Sequence, residues 1–81
     1  MQFSIRLFAR ARDIVGQDMV SVDLPPGATV TELRRCLDKD FPVLRSLLEK
    51  SALAVNNEFA GDSLLLPPGS EIALLPPVSG G

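Results

Sequence analysis

The stretch VSVDLPPGATVTELRRCLDKDF, residues 20–41, decides the fold. Its first five residues alternate, Val20, Val22 and Leu24 against Ser21 and Asp23. That is the period of a strand with one buried face. Pro25-Pro26-Gly27 stops the strand, because proline donates nothing to a ladder and glycine permits the turn. Thr29-Val30-Thr31-Glu32 then reads as a capping box. The Thr29 hydroxyl accepts from the amide of Glu32, and the Glu32 carboxylate reaches back to the amide of Thr29. Val30, Leu33, Leu37 and Phe41 share one face of the helix that follows, with Arg35 and Lys39 on the other. A strand buried on one side, followed by a capped amphipathic helix, implies a sheet for that helix to cover.

The flanks supply that sheet. Over Gln2–Phe8, Phe3, Ile5 and Leu7 alternate with Ser4 and Arg6, which predicts a first strand. Ala9–Val15 reads as a helical turn or two closing at Gly16, a residue suited to a left-handed cap. Beyond the main helix, Pro42 opens a second short helix in which Leu44, Leu47 and Leu48 keep helical spacing. Leu53–Asn56 predicts a third strand, and Asn56-Asn57 tolerates the positive φ of a tight hairpin into Glu58–Ala60. Asp62–Leu66 has no clear period, and Pro67-Pro68-Gly69 is a turn. Ile72 and Leu74 alternate with Ala73 and Leu75 in a last strand, which Pro76-Pro77 ends. The order β-β-α-(α)-β-β-β predicts an α+β fold, a mixed sheet packed on one face by one main helix. That is the layout of the β-grasp. Periodicity leaves the strand order open.

Composition agrees with a single folded domain. The 81 residues are 46% hydrophobic with a net charge of −2, the reverse of the disordered pattern. The eight basic residues are scattered and Trp and Tyr are absent, which argues against a nucleic-acid partner. Having no His, the chain lacks the commonest metal ligand and the commonest general base. A lone cysteine, Cys36, excludes an internal disulfide and points to a reducing compartment. Arg6, Arg10 and Arg12 interrupt any apolar leader, and no run approaches the ~20 residues of a membrane span. The expectation is a soluble cytoplasmic protein with no membrane partner.

The chemistry has to come from elsewhere than a side-chain constellation. There is no G-x-x-x-x-G-K-[ST] phosphate loop, no paired-cysteine metal motif and no nucleophile–His set. What remains is Pro76-Pro77-Val78-Ser79-Gly80-Gly81. Two prolines after a strand remove two ladder donors and favour an extended chain. The boundaries expected are a body at 1–76 and an extended tail at 77–81, reaching ~16 Å at about 3.3 Å per residue. Gly80-Gly81 carries no side chain, so it fits a narrow channel and allows close approach to another active site. A free carboxylate is a poor electrophile and becomes reactive as an acyl adenylate. With no ATP site of its own, this chain would need a separate enzyme to activate it. Sulfide attack on that adenylate would leave a thiocarboxylate on the arm. A Gly-Gly end with no role is the default where nothing else points to it; here the double proline does.

Four segments carry a resemblance over essentially the whole length. They are Leu7-Phe8-Ala9 with Arg12 and Gly16, Ala54-Val55-Asn56, Pro68-Gly69-Ser70-Glu71-Ile72-Ala73, and Pro76-Pro77-Val78-Ser79-Gly80-Gly81. With these, the chain resembles the small-subunit family of molybdopterin synthase, the MoaD family. Leu74-Leu75 departs from it, since many relatives carry aromatic residues there. The resemblance implies a ubiquitin-like β-grasp in which Gly81 is adenylated by an E1-like enzyme and then thiocarboxylated. ATP is used by that enzyme, and no cofactor is held by this chain. It further implies a sulfur donor protein, and a large subunit that receives the tail (Pro76, Pro77, Val78, Ser79 and Gly80) and holds the pterin site. Cyclic pyranopterin monophosphate there takes the sulfur, in a heterotetramer with two small subunits. On this reading the chain donates sulfur, and the acid–base groups belong to its partners.

Lesser signals surround the tail. Phe8 shares the polar face of its strand, and Leu75 lies opposite Ile72 and Leu74, so both are candidate partner contacts. By resemblance, Phe8, Phe59 and Leu75 fall on the family's hydrophobic patch, and Arg12 pairs with a partner carboxylate. Isolated surface apolar residues and a solvated helix charge are the alternatives. Cys36 lies off the Leu33/Leu37 face as a rim residue. Three other functions stay open: a carrier for another sulfur pathway, a lysine-conjugated modifier, and a passive binding module.

Overall fold

The computed structural model describes residues 1–77; Val78, Ser79, Gly80 and Gly81 lie outside the described residues. In chain order the elements are β1 (Gln2–Leu7), α1 (Ala9–Val15), β2 (Met19–Asp23) and α2 (Val30–Asp40). A 3-10 turn (Pro42–Leu44) leads into α3 (Arg45–Leu48), then β3 (Ala52–Val55), β4 (Glu58–Phe59) and β5 (Ile72–Leu75). The expected mixed sheet and main helix are present. The strands lie in the order β2-β1-β5-β3-β4, with β5 parallel to β1 and every other pair antiparallel.

Alternation places the core as expected. Phe3, Ile5, Leu7, Val20, Val22, Leu24, Ile72 and Leu74 are all buried beneath the α2 residues Val30, Leu33 and Leu37. The Thr29 hydroxyl accepts from the Glu32 amide at 3.3 Å, and Glu32 Oε1 accepts from the Thr29 amide at 3.2 Å, which completes the capping box. Gly16 caps α1 at φ 81° and donates to the Arg12 carbonyl. Asn56 and Asn57 adopt φ of 53° and 69° in the β3–β4 hairpin, as that turn requires. The first strand is one residue shorter than expected. Phe8 keeps extended angles but caps α1 instead of pairing.

Two links were not legible. Asp62–Leu66 makes a single bridge, Leu65 to Thr29, and its backbone ties the start of α2 to the sheet through Val30 N–H to the Leu64 carbonyl. Arg34, on α2, donates to the Leu48 carbonyl at 2.9 Å and the Ser51 carbonyl at 3.0 Å, and lies 3.4 Å from Asp62. The Leu48 carbonyl already accepts from the Ser51 amide at 3.2 Å, and the guanidinium adds a second donor there and ties the turn after α3 to α2. Arg34→Ala is expected to cost about 2 kcal/mol, since hydrogen bonds from charged groups contribute ~1.5–3 kcal/mol each before discounting for partial exposure. A lower urea midpoint at unchanged slope measures it, and an unchanged midpoint would show the contacts to be incidental.

Candidate functional site

The described part of the tail starts from the middle of the sheet. β5 lies between β1 and β3, with Leu7 paired to Leu74 and Ala52 to Leu75. Past Leu75 neither neighbour goes on beside it: β1 has turned into α1 at Ala9, and β3 only begins at Ala52. Pro76, half-buried, and Pro77, exposed, then have no N–H to offer. Pro76 and Pro77 accordingly lie outside the strand, with no ladder to join. The opposite end of β5 is pinned by Asn56, whose amide donates to the Glu71 carbonyl at 2.7 Å and whose Oδ1 accepts from the Glu71 amide at 2.9 Å.

The helices cover one face of the sheet, and the other is open. Register puts Met19, Arg6, Ala73, Ala54 and Phe59 in one row across all five strands on that open face. Small residues at its centre and larger ones at its rims make a shallow groove of about 390 Å³. Ser4, Arg6, Phe8, Met19, Glu71 and Ala73 are among its lining residues. Phe8 is 39% exposed, and Phe59, on the edge strand, is 80% exposed. Leu75 is half-buried in the next row, opposite Ala52. The structure therefore brings Phe8, Phe59 and Leu75 to one face, with Leu75 directly before the tail. Arg12 is placed differently: it is exposed on α1 and does not line the groove. Gly81, Gly80, Ser79 and Val78 lie outside the described residues.

Sequence reasoning missed Met19 and Arg6 as groove residues. The signal was present, because Met19 continues the outward series Ser21 and Asp23, and the hairpin register pairs it with Arg6. A second hollow, about 530 Å³, lies on the helical side between Arg34, Arg35, Asp38, Arg45 and Asp62. Two of its cations are already engaged, Arg34 as above and Arg45 by Asp38 at 2.7 Å. Among the described residues no group of three His, Cys, Asp or Glu side chains is arranged to hold a metal, and no helix is long and apolar enough to cross a membrane.

Cys36 is half-buried against the core, its Sγ 3.6 Å from Asp40 Oδ2. Burial, and after it the Asp40 carboxylate, pushes the thiol above its ordinary pKa. It stays protonated at neutral pH and is a weak nucleophile.

Comparison with known proteins adds to this geometry. The model of the ThiS family matches residues 5–81. The molybdopterin synthase sulfur carrier subunit of Dictyostelium discoideum is 41% identical over 83 residues, covering 99% of this chain and 96% of the relative. The crystal structure of SAMP1 from Haloferax volcanii matches with a TM-score of 0.88 and 31% identity, covering 100% of both chains. A chain in the complex of subunits 1 and 2 of the molybdopterin-converting factor from Helicobacter pylori matches with a TM-score of 0.72 and 27% identity, again over 100% of both.

Proposed function

The chain belongs to the ThiS family, and from that premise we propose that it is the sulfur-carrying small subunit of a molybdopterin synthase. The observation that carries this reading is the near end-to-end likeness to a molybdopterin synthase sulfur carrier, 41% identical over 99% of this chain. The launch of the tail from the central strand supports it.

On this reading residues 1–76 are a rigid body and 77–81 an arm whose reacting group is the Gly81 carboxylate. That carboxylate attacks the α-phosphorus of ATP on a separate E1-like enzyme, expelling pyrophosphate and forming an acyl adenylate. Sulfide released by a donor protein attacks the acyl carbon and gives up its proton, and AMP leaves with the electron pair. The resulting thiocarboxylate is a nucleophilic sulfur on a thin arm. It enters the large subunit, where the sulfur displaces an oxygen substituent from a carbon of cyclic pyranopterin monophosphate, and water then cleaves the acyl–sulfur bond and returns the Gly81 carboxylate. A dithiolene has two sulfurs, so two small subunits per substrate fit a heterotetramer. The open face, with Phe8 lining the groove and Phe59 and Leu75 beside it, docks the body while the arm reaches in. Arg12, outside the groove, is left to pair with a carboxylate at the margin.

A second reading rests on the likeness to SAMP1, a small archaeal modifier protein by the name of its relatives. There the activated carbonyl would pass to a lysine amine of another protein. Purifying the tagged chain under native conditions separates the two. A pterin-site large subunit in stoichiometric complex is the expected result. A ladder of covalent conjugates without that subunit would replace the carrier with the modifier, and a thiazole synthase would move it to another sulfur pathway.

A further inference from the structure

Three residues other than glycine have positive φ among the described residues: Asn56, Asn57 and Ala9. The asparagines sit in a hairpin turn that demands this conformation and suits their side chains. Ala9, at φ 51°, has neither excuse. Its Cβ crowds the following carbonyl in the left-handed region, a cost glycine would not bear. Nor is its methyl buried in the free chain, where contacts would offset that cost. Local strain of this kind persists where a functional geometry depends on it.

Ala9 stands where such a geometry is set. It turns β1 into α1 directly after Phe8, and the Ala11 amide closes the turn on the Phe8 carbonyl at 3.1 Å. Leu7 pairs with Leu74, so Phe8 comes level with Leu75 at the point where the tail leaves the sheet. The left-handed basin open to alanine is small, whereas glycine roams widely through positive φ. An alanine here therefore holds the β1–α1 turn, and with it the angle at which α1 leaves beside Phe8, in one geometry. We infer that Ala9 is a positioning residue for partner docking: it gives up stability of the free chain to fix the turn beside Phe8, and so the shape of the groove rim, in the form the large subunit takes. The inference rests on the carrier reading above and deepens it.

The test compares Ala9→Gly with the native chain, each also in a Phe8→Ala background, by thermal unfolding and by calorimetric titration with the large subunit. Relief of strain should raise the melting temperature of Ala9→Gly by ~3 °C, less than the full strain because glycine also loosens the unfolded chain. Its affinity should fall roughly 3- to 10-fold, the entropy of ordering a loosened turn on binding. Turnover at saturating large subunit should be unchanged. In the Phe8→Ala background the same substitution should change affinity less than ~2-fold, since the residue through which it acts is gone. A melting temperature at or below the native value would show the alanine to be structural. Unchanged affinity, or equal losses in both backgrounds, would equally overturn the role. If the native chain fails to bind at all, the carrier reading fails first and takes this one with it.

Discussion

Chains that lack Gly81, or carry one extra residue after it, are expected to lose sulfur transfer entirely while unfolding like the native protein. The reason is geometric. On the proposed reading the reacting atom belongs to the main chain, so its position is set by the number of residues between the end of β5 at Leu75 and the carboxylate. Deleting Gly81 stops that atom about 3.3 Å short. Misplacement by ~1 Å can already cost ~100-fold in a reaction that depends on alignment. An added residue does the opposite damage, burying the former carboxylate in a peptide bond and carrying a new one past the site. Stability should not move, because the core is made by residues from Phe3 to Leu74. Synthase activity in single-turnover assays and thermal unfolding on the same samples check both halves. Full activity from the extended chain, after mass analysis has excluded trimming, would remove Gly81 from the chemistry.

The second large effect is expected at Leu75. Leu75→Glu should weaken large-subunit binding by ~2 kcal/mol or more, as charging a central apolar anchor does, which is roughly 30-fold in Kd. Leu75 is half-buried on the open face, paired with the small Ala52 and directly before the tail. A carboxylate there can reach water in the free chain, so the fold survives, but on the proposed reading it loses that water when the large subunit covers the open face. Calorimetry reports the affinity and a thermal scan the fold. Unchanged affinity with an intact transition would leave Phe8, Phe59 and Leu75 as ordinary surface residues.

Which parts of this were legible follows from the range of each interaction. The faces of β1, β2 and β5 were readable because alternation is local: Phe3, Ile5 and Leu7 declare their side without reference to any other strand. The capping box at Thr29 and Glu32 spans three residues and was readable for the same reason. The position of β5 between β1 and β3 was not, since a buried face does not name its neighbours. Arg34 reads as one more helix charge until Leu48 and Ser51 come within its reach through the fold. Leu64 and Leu65 gave no period because their stretch makes one bridge and no strand. Phe8 and Leu75 were identified as outward residues from pattern alone. That they flank the tail's exit needed the parallel pairing of β1 with β5.

Intact-mass and fragment-ion analysis of the chain decides whether the Gly81 carboxylate carries sulfur. The native chain is incubated with its activating enzyme, ATP and a sulfur source, with samples lacking ATP as controls. The expected result is a gain equal to one oxygen-to-sulfur exchange, dependent on ATP, present in fragments that contain Gly81 and absent from those that end before it. A chain of unchanged mass under conditions that load a known carrier, or sulfur found on Cys36 instead of Gly81, would contradict it.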